Sequence, residues 1–552
     1  MSEPAGVDGG GATAGGASGR EWRRLDARVL ALHVVRLLLA LAPIAVVLAL
    51  GGDLNRSVTI GIAAVFGGQA LAAAADALRW RTTRYRVTDE RVELRSGLVL
   101  RSDRSVPRDR IRTVNLTAKP LHRLFGLATV DVGTGRHGGS GEKHGLVLNA
   151  VAADEADRLR QALLARAAPP TPGAAAVPAP PADSPSAAPA PSDAVVATGG
   201  GVARELARLR WSWLPFDLLS PWTLALPLIV LGGGIQLLDT FGVEGVAFDA
   251  ASDGANRVDA MPVLLALVLL VVALLVVGAL AASALFVESW WGFALVREPG
   301  GTLRVKRGLL TARSTSIEQR RLRGVELAEP LLLRAAHGAT LHAIATGLRS
   351  GDDGSSGKGA RANALLPSVP RAEAERVAAA VLEERDVPAQ LGDLRAHPPA
   401  ARRRRLVRAL AAVAAIAALL ALTGPLLGWL PSWTPSLALL LLGPALWLGT
   451  DAYRGLGHRI AGGYLVARHG TFVRRTHALE RDGVIGWTIS RSPFQRRAGV
   501  VTVTATIAAG SGAYRIIDVA DGGGLAFAEE AVPGILAPFL VRSSATSTPT
   551  AP

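Results

Sequence analysis

Six long apolar segments in three pairs dominate the hydrophobic pattern of the 552-residue chain. The first pair is VLALHVVRLLLALAPIAVVLAL (29–50) and SVTIGIAAVFGGQALAAAADAL (57–78). The second is PWTLALPLIVLGGGIQLL (221–238) and MPVLLALVLLVVALLVVGALAASALFV (261–287). The third is LVRALAAVAAIAALLALTGPLLGWL (406–430) and PSLALLLLGPALWLGT (435–450). A helix needs about 20 apolar residues to cross a bilayer core of about 30 Å, so the pairs predict three membrane hairpins. Segment 57–78 is rich in Ala and Gly and reads either as a span or as a buried soluble helix, and 435–450 is short. Arg23, Arg24 and Arg28 precede the first hairpin, and Arg79, Arg81 and Arg84 follow it. Arg204, Arg208 and Arg210 precede the second, RRRR at 402–405 precedes the third, and the connections 239–260 and 431–434 hold Arg257 alone. Because Lys and Arg concentrate on the cytoplasmic side, both termini and all the long segments are expected in the cytoplasm.

After each hairpin the period becomes strand-like. YRVTDERVELRSGLVLRSDRSVPRDRIRTVNL runs from Tyr85, GTLRVKRGLLTARSTSIEQRRLRGVEL from Gly301 and GGYLVARHGTFVRRTHALERDGVIGWTI from Gly462. Gly97, Gly308 and Gly470 mark the same hairpin turn in each; counted from them, Val106, Ile317 and Leu479 coincide, as do Ile111, Leu322 and Val484. KPLHRLFGLATVDV (119–132) then aligns with SPFQRRAGVVTVTA (492–505), matching Pro120 with Pro493 and Gly126 with Gly499. In EPLLLRAAHGATLHA (329–343) the Pro–Gly spacing is two residues longer. This pattern predicts a Pro-started helical turn ending at Gly and leading into a strand. A closing helix is predicted at 153–166, 369–384 and 526–540, the last containing Pro533.

The organisation follows: a tail (1–24), hairpin (25–80), β domain (81–167), Pro/Ala linker (168–203), hairpin (204–290), β domain (291–390), hairpin (391–452), β domain (453–542) and tail (543–552). YxVTDERVxLRxG, VPRDRI and PLxRLFGLATV in the first repeat resemble the bacterial pleckstrin-homology (PH)-like domain of membrane proteins of the YdbS/YdbT type. The resemblance is close over residues 80–167 and one of pattern in the other two repeats, where SIEQRRL and ALERDGV stand in place of VPRDRI. It implies a multi-pass α-helical membrane protein with three cytoplasmic PH-like domains, each a small, partly open β-barrel closed by a C-terminal helix. It implies no agreed biochemical activity.

Composition narrows the chemistry. Hydrophobic residues make up 49% and charged residues 19%, and the net charge is +15 with a pI near 11.1, which suits an anionic membrane surface or nucleic acid. Aromatics are only 5%, leaving few stacking platforms, and the basic residues flank apolar segments, so no nucleic acid is expected. The absence of Cys excludes disulfides, thiolate metal sites and a Cys nucleophile. The ten His residues are scattered without HExxH spacing, and the Gly-rich loops 133–145 and 350–360 lack the P-loop pattern. No enzyme, cofactor or metal is expected. In the apolar segments His33, Arg36, Asp76 and Glu288 fall near the ends, as interfacial anchors do.

The candidate surface is a basic ladder. On a strand Arg108, Arg110 and Arg112 would share one face with Ile111 on the other, and Arg84, Arg101, Lys119 and Arg123 would extend it. Arg320, Arg321, Arg323, Arg474, Arg475, Arg481, Arg496 and Arg497 are the corresponding positions or neighbours in the later repeats. Such a ladder reads as the solvated face of a domain or as a surface for lipid headgroups. The expected function is therefore non-enzymatic binding or scaffolding at the inner membrane, toward lipids or other envelope proteins. A transporter or export component, or an envelope-protection protein acting through its six helices, is the alternative.

Overall fold

The computed structural model describes residues 22–39, 56–88, 90–97, 101–111, 113–133, 145–164, 203–220, 223, 232, 262–348, 363–384, 394–427, 431 and 433–539. Arg112, most of both tails, the linker, the two Gly-rich loops and connection 239–260 lie outside them, as do half of segment 29–50 and most of segment 221–238. The chain divides into two compact units, and the boundary passes through the second repeat: Arg297–Glu318 belong with the first repeat, and Gln319 onward with the third.

The first repeat contributes strands β1 (Arg23–Arg24), β2 (Arg84–Val87), β3 (Arg91–Ser96), β4 (Ser102–Pro107), β5 (Thr113–Ala118), β6 (Leu127–Gly133) and β7 (Gly145–Ala152). Its helices are α1 (Arg28–Leu39), α2 (Arg56–Thr82), the short α3 (Pro120–Leu124) and α4 (Ala153–Leu164). The second repeat adds β8 (Arg204–Arg208), α5 (Leu214–Asp217), α6 (Val263–Trp290), β9 (Ala294–Glu298), β10 (Thr302–Arg307) and β11 (Ala312–Glu318). It continues with β12 (Leu322–Pro330), α7 (Leu331–Ala335), β13 (Gly338–Ala345), β14 (Ala364–Pro370) and α8 (Arg371–Leu382). The third has α9 (Pro399–Leu427), α10 (Leu442–Arg454), β15 (Gly457–Ala461), β16 (Tyr464–His469), β17 (Val473–Glu480) and β18 (Val484–Ser490). It ends with α11 (Pro493–Arg497), β19 (Val500–Ile507), β20 (Ala513–Ala520) and α12 (Asp521–Ala531).

Each repeat therefore carries a first meander and a second three-stranded meander joined by a one-turn 3-10 helix, with a closing helix packed on the second meander. In the first repeat Val92, Leu94, Ile111, Val114, Val130, Val132, Leu146 and Leu148 form the core, and Ala156, Leu159 and Leu163 of α4 complete it. The third repeat repeats this with Leu465, Leu479, Val484, Val501, Val503, Ile516, Phe527 and Ala528. The spacing of Ala156, Leu159 and Leu163 is the i, i+3, i+7 stripe of an amphipathic helix.

The expected barrel is not closed within a repeat. In the first unit β5 pairs antiparallel with β11 of the second repeat; in the second unit β12 pairs with β17 of the third. The physical reason is the 3-10 corner: it turns the chain out of the first sheet, and the strand that follows bonds the next repeat's free edge instead of its own. The sheets are thus shared between neighbouring repeats, in the order β1-β2-β3-β4 at one end of the series and β18-β19-β20 at the other.

The turn glycines behave alike: φ is 110° at Gly97, 109° at Gly308 and 115° at Gly470. A Cβ on Gly470 would lie 1.9 Å from the Val473 carbonyl oxygen, so no other residue fits. Gly126 and Gly499 end their short helices in the left-handed region at 66° and 63°. In the middle repeat His337 takes that place, at φ 56°, and Pro330 stands one position before the helix instead of inside it. The longer Pro–Gly spacing thus reflects neither residue being equivalent to its counterparts. Gly338 is needed for room: a Cβ would meet Leu333 at 2.5 Å and Phe216 at 2.7 Å.

The closing helices at Ala153–Leu164 and Arg371–Leu382 agree with expectation, but the third spans Asp521–Ala531, earlier than 526–540. Val532 is extended because Pro533 follows it and crowds a helical conformation there. Three helices are long and apolar enough to cross a membrane among the described residues: Leu264–Trp290, Pro399–Thr423 and Thr434–Arg454. The 27-residue α2 is as long but too diluted by Ala, Gly and polar residues to qualify on composition.

Candidate interaction surface

In the first and third repeats the short helix after the second meander's first strand packs against the helix that precedes the domain. In the first repeat Leu121 and Phe125 pack with Val29 and Leu32 of α1, over Leu127 and Ala150. In the third, Ser492 and Gln495 form a capping box on α11, and Arg404 of α9 donates to the Ser492 hydroxyl at 3.4 Å. One position, three residues before each closing helix, ties the domain to the chain segment that precedes it. The Ala150 carbonyl accepts from the Asp26 amide at 3.0 Å, and the Ser368 hydroxyl donates to Asp217 at 3.1 Å. Asp518, fully buried, pairs with Arg404 and with Arg405, the latter at 3.4 Å. Ala150 and Asp518 both adopt left-handed φ, of 60° and 62°, where their strands bulge.

The outer side of these short helices is apolar and basic. Leu124 is 75% exposed and Phe494 72%. Lys119 and Arg123 flank the first, and Arg491, Arg496 and Arg497 the second, all exposed. Trp211 and Trp291, also exposed, stack edge to face at 5.6 Å beside the end of α6.

At the 3-10 corner the geometry is equally repetitive. The Arg108 guanidinium donates to the Ala162 carbonyl near the end of α4. Gln319 donates to the Val381 carbonyl at 2.7 Å, and Arg481 to those of Ala531 at 2.6 Å and Glu530 at 3.0 Å. The last carbonyls of a helix have no partner within it, so the first corner residue clips the closing helix in every repeat. A cavity of about 380 Å³ beside the third clip is lined by Tyr464, Glu480, Arg481, Asp482 and Pro533. Burial, aided by Glu480, pushes the Tyr464 hydroxyl up to about 12, and it donates to the Leu382 carbonyl at 3.3 Å, so it is a structural donor.

The sequence profile of the bacterial PH domain matches three stretches, residues 34–167, 247–385 and 405–526, one for each repeat. The chain belongs to the bacterial PH domain family. A curated relative, the UPF0699 transmembrane protein YdbT of Bacillus subtilis, is 30% identical over 95 residues, 17% of this chain. The aligned stretch spans 19% of that relative. No solved structure matches the chain significantly.

The three bacterial PH domains do not present the basic residues as one ladder. Arg108 and Arg110 lie in the 3-10 turn, not on a strand, and Arg108 clips α4. The buried neighbour Ile111 is in the core, as the alternation predicts. Lys119 and Arg123 sit at the other end of β5, six residues or about 20 Å away. Arg84 and Arg101 lie at one end of the first sheet, where the register Arg84↔Arg95, Arg95↔Asp103 brings the start of β4 level with the start of β2. Arg123 also donates to the Leu309 carbonyl across the junction of the first two PH domains. In the later domains Arg323 pairs with Glu480 at 2.6 Å and Arg475 with Glu326 at 3.5 Å across the joint of the second and third repeats, and Arg474 pairs with Asp451 of its own repeat at 3.0 Å.

Sequence reasoning missed the ion pairs that lock the shared sheets. Arg160, 2% exposed, reaches Glu298 at 3.0 Å, and Arg304 joins Glu298 at 3.3 Å and Asp157 at 2.9 Å. Glu329, 1% exposed, faces Arg371 at 3.4 Å in the second unit. The readable signal was Arg160 itself, a charge set among Ala156, Leu159 and Leu163 on the apolar stripe of α4. A charge there needs a partner from another segment.

Proposed function

We propose that the protein is a non-enzymatic, multi-pass inner-membrane scaffold whose three PH domains stand on the cytoplasmic face. Each rests on anionic lipid headgroups through its one-turn helix. The observation that carries this reading is the pairing of Leu124 and Phe494, 75% and 72% exposed, with exposed arginines on helices whose inner sides hold the chain entering the membrane. Burying such an apolar side chain contributes about 1.5–3 kcal/mol. Each Lys or Arg near an anionic surface adds about 1 kcal/mol. Neither would recruit a free domain, but a domain already tethered by its hairpin needs no more, because the effective concentration is high. The Lys and Arg distribution around the apolar segments supports six spans with cytoplasmic domains, and the relative's description as a transmembrane protein agrees.

The chain has no Cys, so Leu124→Cys and Phe494→Cys give single labelling sites. In nanodiscs containing phosphatidylglycerol, an environment-sensitive dye at either site should emit at shorter wavelength and be quenched by headgroup nitroxides. Arg496→Glu with Arg497→Glu, or high salt, should weaken this at Phe494. Emission typical of water in every lipid mixture would end the reading.

A further inference from the structure

The two observed joints between repeats are one joint made twice. In the first, Thr113, sixteen residues past Gly97, faces Ile317, nine past Gly308. In the second, Gly324, sixteen past Gly308, faces Leu479, nine past Gly470. The register is identical, and both pairings are antiparallel. Such a joint is heterologous: it uses the edge of the first sheet of one repeat and the edge of the second sheet of the repeat before it. A series of three repeats must therefore end with one unused half of each kind. These are β4, the end strand of β1-β2-β3-β4, and β18, the end strand of β18-β19-β20. Among the described residues no strand lies along either.

Side-chain burial follows the same logic. Ile317 and Leu479 are 1% and 0% exposed inside the joints, whereas the equivalent Val106 on β4 is only partly buried. Leu116 and Leu327 are 8% and 2% exposed on the other half, whereas the equivalent Ile489 on β18 is 36% exposed. The core positions at both ends keep their apolar identity although no strand among the described residues pairs with these edges. An open, pairing-competent edge is a template for a further strand.

We propose that β18 of one chain pairs with β4 of a second copy of this chain, in the register of the internal joints. Gly486 then faces Val106, Thr488 faces Arg104 and Ser490 faces Ser102. Because the contact is heterologous, repetition links chains head to tail. The occupant is a second copy, because the missing half of each end is the half found at the other end.

The test uses full-length chains in their membrane. One tagged chain carries Ser102→Cys, a second, differently tagged chain carries Ser490→Cys, and no other thiol is present. Both serines are exposed, so neither change disturbs folding. Antiparallel partners lie within the Cα separation a disulfide tolerates. Oxidation with copper phenanthroline should yield a dimer bearing both tags, and neither homotypic dimer. Moving one thiol by a residue, with Asp103→Cys against Ser490→Cys, should lose it, and so should adding Ile489→Lys to the second chain. Heterotypic yield no greater than the homotypic or shifted pairs would overturn the proposal, as would its survival with Ile489→Lys.

Discussion

Acid should unfold the third PH domain, because its core holds histidines in the neutral form. The His397 ring stacks edge to face on His458 at 5.0 Å, and His458 on Phe527 at 4.6 Å. Burial pushes His397 down to about 3, and the neighbouring His458 adds to this, against Asp518. Burial likewise pushes His458 down to about 4, with Arg395 adding and Glu530 opposing. Fully buried His477 is held well below its ordinary value, by burial first and then by His469 and Arg475; Glu326, 3.8 Å away, is too distant to reverse this. All three pKa values are lower in the folded chain than in the unfolded one. The unfolded state therefore binds more protons, and the stability is complete above about pH 6.5 and falls as the pH drops toward the folded values. At about pH 5 His397 and His458 have each withdrawn about 2 kcal/mol, since their folded values of about 3 and about 4 both lie well below that pH. These two together withdraw about 4 kcal/mol, a large share of a domain's stability of about 5–15 kcal/mol, and His477 acts in the same direction.

The assay is hydrogen exchange on the full chain in nanodiscs, corrected for the intrinsic rate at each pH. Peptides from β19, β20 and α12 should lose protection between about pH 7 and about pH 5, and those from β6 and β7 should lose less, because no histidine lies in the first domain's main core. His458→Gln with His397→Leu should remove the part of the effect these two groups contribute, about 4 kcal/mol, since they then no longer titrate. Unchanged protection at low pH, or an equal loss in the double variant, would refute the account.

Gly470→Ala should cost several kcal/mol and lower the melting temperature sharply, since its Cβ would sit 1.9 Å from a carbonyl oxygen. Gly499→Ala, with nothing within 4 Å, should cost only about 1–2 kcal/mol for its left-handed φ. Arg481→Ala should loosen the end of α12 by about 1–2 kcal/mol, read as faster amide exchange there, whereas Arg481→Gln should keep most of the protection, because Gln319 makes the same clip in the second domain.

The sequence alone determined the repeat, the turn glycines, the short Pro-started helices and the core positions. Each of these is a local requirement: a left-handed φ at Gly97, Gly308 and Gly470, a first-turn position at Pro120 and Pro493 where the helix needs no amide donor, an apolar residue every second position facing a sheet. It also placed two of the three closing helices, and missed the start of α12 because the DGGG at 521–524 carries little helix signal. What it left undecided is which edge pairs with which. Strand alternation fixes the face a side chain takes but is indifferent to whether the neighbouring strand belongs to the same repeat, so a closed barrel and a shared sheet read alike. Only the tertiary structure joined β5 to β11 and β12 to β17, and with that choice the basic residues changed meaning. Arg108 became a helix clip and Arg323 and Arg475 became joint residues, while Lys119 and Arg123 stayed on the short helix that packs with α1. A guanidinium's role is set by the carbonyl or carboxylate brought within about 3 Å of it, and that neighbour comes from distant sequence.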